Sequence, residues 1–386
     1  MIIERVNLAA KTILSIRKMK VVFVIHFVSL CIATTFLFYI IDDSVGTTSF
    51  SLRTWFVDYK KVKSFIGKME KHSYHRYEMY AQQLIQQYGD ALYNCYMANR
   101  KECITKTTKE YKHMKYANRD VLLSYTENAT VQPTKIHPNV SVIIGIPLAP
   151  YQFVERMVFR STLCRPEYLT NNTICLFFSS MEGERADVNR LIREEGVIHD
   201  DIVQFDFMND YINLTTLQLS TARWIMKMYP AIQYYIRTDS DVYFDYDYVR
   251  NNVLNKPSRR LAFGHIWRKS PPQRKPGQKW YLPTSIYNET YYKPYLGGYM
   301  YLWSRDIFPL IIEGSTFIKP IHYIDDVYLG QIMFHYNISL VDNRDRMSSS
   351  VLKLDSSLKA KIVGKFAIHG YSPLELLLLW RLFKNI

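Results

Sequence analysis

Acidic residues are in short supply: 35 Asp and Glu face 49 Lys and Arg, a formal net charge of +14. Cysteine is sparse, five in 386 residues, and no pair has C-x-x-C spacing, so no zinc site of that kind is encoded. Glycine is held to 14 residues and proline to 15, with no repeat or low-complexity tract, which excludes a collagen-like chain. Charged residues make up only 22% against 48% hydrophobic, too little charge and too much apolar surface for a disordered chain. The length accommodates two or three domains with packed cores.

One hydrophobic run stands apart. Residues 21–41, VVFVIHFVSLCIATTFLFYII, carry no formal charge, and about 20 such residues span a bilayer's hydrocarbon core as a helix. The run is longer than the apolar stretch of a secretory signal and no A-x-A-like cleavage site follows, so it is expected to be a transmembrane signal-anchor. Arg5, Lys11, Arg17, Lys18 and Lys20 precede it, while Asp42 and Asp43 follow it. That asymmetry keeps the 1–20 tail in the cytoplasm and sends the remainder to the lumen. A luminal chain gives meaning to six N-x-S/T sequons, at Asn128, Asn139, Asn171, Asn213, Asn288 and Asn337. It also places Cys95, Cys103, Cys164 and Cys175 in an oxidising compartment, where the short spacings favour Cys95 with Cys103 and Cys164 with Cys175.

The positive charge divides into +4 for residues 1–20, +5 for 42–135 and +5 for 136–386. Most of it belongs to the tail and the segment after the anchor, and the luminal topology argues against a nucleic-acid partner. Within the last part, residues 256–279 hold eight basic residues and no acidic one. That loop is solvated surface by default, and also a candidate contact for a diphosphate or an acidic acceptor.

Residues 42–135 are polar, with apolar positions at loose helical spacing, and read as a partly helical stem that holds a domain away from the membrane. From 136 the pattern changes. Short β-branched runs at 140–146, 173–178 and 233–236 alternate with amphipathic stretches, which predicts an α/β domain extending to residue 386. In such sheets ligands bind beyond the carboxyl ends of the strands.

The third run ends in Asp239-Ser240-Asp241. Two carboxylates at i and i+2 can face one hard cation if the backbone turns between them, and Ser240 permits the turn; a solvated turn is the plainer alternative. Asp245 and Asp247 repeat the spacing among tyrosines and read as a surface turn or helix start. Asp325 and Asp326 precede an apolar, helix-compatible segment. They are either helix-capping carboxylates or, in a cleft, a source of a general base.

From about residue 140 onward the chain resembles the β-1,3-glycosyltransferase family, glycosyltransferase family 31, which includes β-1,3-galactosyltransferases and β-1,3-N-acetylglucosaminyltransferases. The resemblance rests on an ordered set: ERMVFRST at 155–162, DIVQFDF at 201–207, DYINLT at 210–215, Arg223-Trp224 and TDSDVYF at 238–244, with Arg237 where the family has lysine. It continues through Arg274, Lys279-Trp280-Tyr281, Tyr295, Gly298, Tyr301, Ser304-Arg305-Asp306, DDVYLG at 325–330, and His369 followed by Ser372-Pro373. The chain departs from the family at Leu217 and Gln218, at Tyr229 and Leu296 in place of two cysteines, and at Gly297 in place of a frequent serine.

The resemblance implies a GT-A-type, Rossmann-like nucleotide-sugar-binding domain and inverting transfer of Gal or GlcNAc, in β-1,3 linkage, from UDP-Gal or UDP-GlcNAc. The acceptor would be a glycan on glycoprotein or glycolipid. It implies Asp239, Asp241 and His369 as ligands of Mn²⁺ or Mg²⁺ and Asp326 as the general base. Arg156, Arg160, Asp239, Ser240 and Asp241 are the expected donor contacts, and Lys279, Trp280, Gly298 and Asp325 lie on the acceptor side. Tyr299 follows two glycines as a sugar-packing candidate, whereas Trp303 reads as buried strand. The expected location is the Golgi membrane, or that of the endoplasmic reticulum, in single-pass type II orientation. The competing reading is a catalytically inactive member acting as a membrane-bound glycan-binding or chaperone-like protein.

Overall fold

The computed structural model describes residues 128–384, apart from 171, 184, 256–258, 322–323, 351 and 353–356, together with Thr126 and scattered helical positions between Glu78 and Met97. The expected tail, the 21–41 span, Cys95, Cys103 and Asn171 lie outside the described residues. Among the described residues no helix is long and apolar enough to cross a membrane.

The chain runs β1 (Ala129–Val131), β2 (Val142–Pro147), α1 (Phe153–Ser161), β3 (Thr173–Met181), α2 (Ala186–His199), β4 (Ile202–Met208), α3 (Leu214–Met228) and β5 (Tyr234–Thr238). It continues with β6 (Val242–Phe244), α4 (Tyr246–Val249), β7 (Ala262–Trp267), β8 (Tyr295–Ser304), α5 (Ile307–Gly314) and α6 (Asp325–His335). The last elements are β9 (Leu340–Asp342), β10 (Met347–Ser348), α7 (Leu358–Ile362), β11 (Ala367–His369) and α8 (Pro373–Lys384). The main sheet is mixed, in the order β1-β4-β3-β2-β5-β8-β7-β9, and a small second sheet has the order β10-β11-β6.

The three β-branched runs form the parallel heart of this sheet: β2 pairs in parallel with both β3 and β5. Strands buried on both faces read as nearly continuous apolar runs, as in the Val-Ile-Ile-Gly-Ile of β2. β8 then pairs antiparallel to β5, and β7 antiparallel to β8. Trp224 of α3, Phe308 of α5 and Tyr328 of α6 share one buried cluster with Tyr235 and Trp303 of the sheet. Trp303 is thus core, as its strand pattern implies. The architecture is a mixed α/β domain.

Cys164 and Cys175 are joined, with Cα atoms 5.6 Å apart, linking the turn after α1 to β3. Asp245 caps α4 by accepting from the Tyr248 N–H, and the Lys384 ammonium reaches both Asp245 and Asp247, at 2.7 and 2.9 Å. The second acidic pair is therefore structural, at a helix start.

Two expectations are corrected. Arg156 is fully buried and its guanidinium donates to both Glu195 oxygens, at 2.8 and 2.7 Å, and to the carbonyls of Ala149 and Pro150. Arg160 binds Glu195 at 2.7 Å and grips Asp201 with two bonds of 2.7 and 2.8 Å. These forks are engaged by the carboxylates of Glu195 on α2 and Asp201 just before β4, partners that take the place of a diphosphate. The two arginines outweigh burial and hold Glu195 below the usual carboxylate range.

The second correction concerns the stem. Its described helical positions are not a free spacer. Ile85 packs on Phe153, Met157, Val188 and Leu191. Glu78 meets His199 at 2.9 Å, and Asp90 accepts from Arg381 of α8 at 2.6 Å.

Removing one partner of a buried ion cluster leaves the other charge without solvent or counter-charge. Glu195→Ala is therefore expected to lower the unfolding free energy by about 3–5 kcal/mol, read as a shift in the urea midpoint at constant slope.

Candidate active site

β2 lies between β3 and β5, so the strand order reverses there, the place where open α/β sheets accept ligands. A cleft of about 540 Å³ opens at this point. Pro147 lines it at the end of β2, Asp239, Ser240 and Asp241 just after β5, Gly297, Gly298 and Tyr299 on β8, Asp325 and Asp326 at the start of α6, and His369 at the end of β11. Lys279, Trp280, Tyr211 and Trp267 complete its rim. Every catalytic, metal, donor and acceptor-side residue named from the sequence lines this cleft except Arg156 and Arg160.

Backbone pairing builds the first half of the site. The Asp239 N–H donates to the Tyr299 carbonyl at 2.9 Å, extending the β5–β8 ladder by one residue, and the chain then turns. The Asp241 carbonyl accepts from the N–H groups of Gly370 and Tyr371, at 2.8 and 3.0 Å. β11 and β6 pair with His369 opposite Val242, which brings His369 beside the acidic turn. His369 Nε2 stands 3.4 Å from Asp241 Oδ1. One ligand atom from each of Asp239, Asp241 and His369 lies within 4.8 Å of the others. Two carboxylates and an imidazole from two chain segments suit a divalent cation with coordination positions to spare.

The second half rests on the close approach of α6 to β8. Asp326 Oδ2 accepts from the Gly298 N–H at 3.1 Å, and Oδ1 accepts from the Val327 N–H at 2.8 Å. A Cβ at position 298 would meet Asp326 Oδ2 at 3.2 Å and Arg237 Nη1 at 3.5 Å, so glycine is what allows the carboxylate to lie on the strand. Burial and the neighbouring Asp325 carboxylate push Asp326 up to about 7, against the pull of those two N–H groups. Burial likewise raises Asp325, opposed by Arg237. A carboxylate with a pKa near neutrality can both take and return a proton.

Arg237 joins the halves. It is 4% exposed, and its Nη2 lies 3.0 Å from Asp239 and 3.8 Å from Asp325. Among the described residues its Nε and Nη1 have no hydrogen-bond partner. The sequence marked it only as a departure from lysine; its bridging role depends on α6, which lies nearly 90 residues further along the chain. On the rim, Trp280 Nε1 donates to the Tyr211 hydroxyl at 3.1 Å, and the Lys279 ammonium lies 4.9 Å from both ring centroids. Trp267, His265 and Ser349 carry no motif signal, and only the fold identifies Trp267 and Ser349 as cleft residues.

Four of the sequons, at Asn128, Asn139, Asn288 and Asn337, are exposed. Asn213 donates its amide nitrogen, the atom a glycan would take, to the Met208 carbonyl at 2.8 Å.

The galactosyltransferase family model matches residues 154–344, which include the acidic turn at 239–241 and the Asp325–Asp326 pair and stop short of His369. Human beta-1,3-galactosyltransferase 1 is 28% identical over 255 residues, covering 64% of this chain and 76% of that one. Human beta-1,3-galactosyltransferase 5 is 27% identical over 237 residues, with coverage of 61% and 75%. Human N-acetyllactosaminide beta-1,3-N-acetylglucosaminyltransferase 4 is 27% identical over 262 residues, with coverage of 65% and 67%. The chain belongs to the β-1,3-glycosyltransferase family of galactosyl- and N-acetylglucosaminyltransferases, and it is a hexosyltransferase.

Proposed function

We propose that this chain is a type II Golgi membrane enzyme that moves Gal or GlcNAc from a UDP-sugar to a hydroxyl of a glycoprotein or glycolipid glycan, with inversion, in β-1,3 linkage. The observation that carries the reading is one cleft with Asp239, Asp241 and His369 on one side and Asp326, held by the Gly298 N–H, on the other.

Asp239, Asp241 and His369 would hold Mn²⁺ or Mg²⁺, which supplies Lewis-acid neutralisation of the leaving diphosphate. Asp326 accepts the proton of the acceptor hydroxyl as its oxygen attacks the anomeric carbon. The new C–O bond forms as the bond to the diphosphate breaks, UDP departs with the electron pair, and the configuration inverts. Arg237 holds Asp239 and Asp325 at fixed separation, which keeps leaving-group side and base side in register. The luminal orientation draws support from the Cys164–Cys175 bond, which is at home in an oxidising compartment, and from the exposed sequons.

The defining experiment incubates the full-length protein with Mn²⁺, a panel of UDP-sugars and acceptor glycans, and measures UDP release with and without acceptor. Acceptor-dependent release is expected; its absence with every pair sinks the proposal. Asp326→Asn should lower transfer by about 10²–10⁴-fold while UDP binding persists, and near-normal turnover would place the base elsewhere. Because the base must be ionised, transfer should rise with pH through about 7 and level off above it. Gly298→Ala should depress turnover without a change in melting temperature, since its methyl would press on Asp326. EDTA should abolish transfer and Mn²⁺ restore it, with Asp241→Asn weakening Mn²⁺ binding measured by electron paramagnetic resonance.

A further inference from the structure

Two aromatic walls border the cleft, and they differ. Trp280 is committed: its N–H is donated to Tyr211 and the Lys279 ammonium lies by its ring. Trp267, the last residue of β7, is 38% exposed and faces the same cleft. Its indole stacks on His265, two residues back on the same face of the strand, with centroids 4.6 Å apart and planes 18° apart. His265 Nδ1 shares a hydrogen bond of 2.9 Å with the Tyr299 hydroxyl, and the two rings meet edge to face. Burial and Arg344 hold His265 below its ordinary value, which favours the neutral ring. The end of β7 is itself fixed, because the Ile266 N–H donates to Asp342 and its carbonyl accepts from Arg344.

The position of this shelf follows from Gly297. A Cβ there would meet Trp267 Nε1 and Tyr299 Cε1, each at 3.0 Å, so indole and phenol converge over a bare Cα. The next residue, Gly298, holds Asp326. Trp267, the 297–299 segment of β8 and Asp326 line one cleft, the space that a sugar ring must enter to bring a hydroxyl to Asp326. Flat indole faces bind the C–H face of a pyranose, burying apolar area without engaging its hydroxyls.

We propose that Trp267, backed by His265 and Tyr299 and admitted by Gly297, is the stacking platform for the hexopyranose ring of the acceptor glycan. The proposal deepens the transferase reading above and rests on it for the identity of the bound ring as the acceptor. Substitution of Trp267 then weakens acceptor capture and leaves the nucleotide side of the cleft alone.

The test uses the full-length protein with Trp267→Ala, Trp267→Phe and Gly297→Val. Trp267→Ala is expected to raise the acceptor KM about tenfold, with the loss falling on KM and not on kcat, and with UDP affinity by calorimetry unchanged. Trp267→Phe restores most of the loss, and Gly297→Val, which pushes the indole aside, reproduces it. Saturation-transfer NMR on the Asp326→Asn protein should show the strongest contacts at the C–H protons of one ring face of the acceptor, lost in the double variant with Trp267→Ala. An unchanged acceptor KM in Trp267→Ala, or a fall in UDP affinity in step with it, overturns the platform. Trp267-dependent saturation of a glycan without any transfer by the wild type would retain the platform and remove the transferase reading; glycan saturation independent of Trp267 overturns the platform alone.

Discussion

The pairing of β8 with β5 is the constraint on which the site depends. Its antiparallel register sets Arg237 opposite Tyr301 and carries the ladder one step past the strand to Asp239. The same strand presents the Gly298 N–H to Asp326 on its other side. One run of backbone hydrogen bonds thus fixes the spacing between the acidic turn and the carboxylate pair on α6. Arg237 then meets carboxylates from both segments, so that three charges inside the fold are balanced against one another before any ligand arrives.

Much of this was legible in the sequence, for physical reasons that differ by residue. The strands β2, β3 and β5 announce themselves because a strand covered on both faces has no polar alternation to confuse it. Asp239 and Asp325 stand out because acidic residues directly after an apolar run or ahead of a helix occupy positions with special backbone chemistry. The sequence reads Arg156 and Arg160 as donor contacts, whereas in the structure their forks are engaged by Glu195 and Asp201. An arginine fork fits a phosphate and a carboxylate equally well, and the deciding partner, Glu195, lies in another helix. Trp267 carries no signal in the sequence because an aromatic at a strand end looks the same whether it points to core or cleft; the long excursion between β7 and β8 leaves it at the rim.

The domain also shows how a family scaffold takes on individual character. Main-chain pairing holds the acidic turn and the Asp326 carboxylate. The cleft's shape is set by side chains such as Trp267, Tyr299 and Trp280, and by the glycine at 297. Electrostatics and shape are therefore separable layers in this cleft.

The described helical positions between Glu78 and Met97 carry a consequence of another kind. A Cβ at Gly89 would meet the Leu377 side chain at 2.8 Å, so this segment lies directly against α8, while Ile85 lies over the apolar seam between α1 and α2. A chain cut at residue 136, where composition alone draws the border, would strip these surfaces bare and invite self-association through them. Over its described positions, the segment that precedes β1 is part of the wall of the α/β domain.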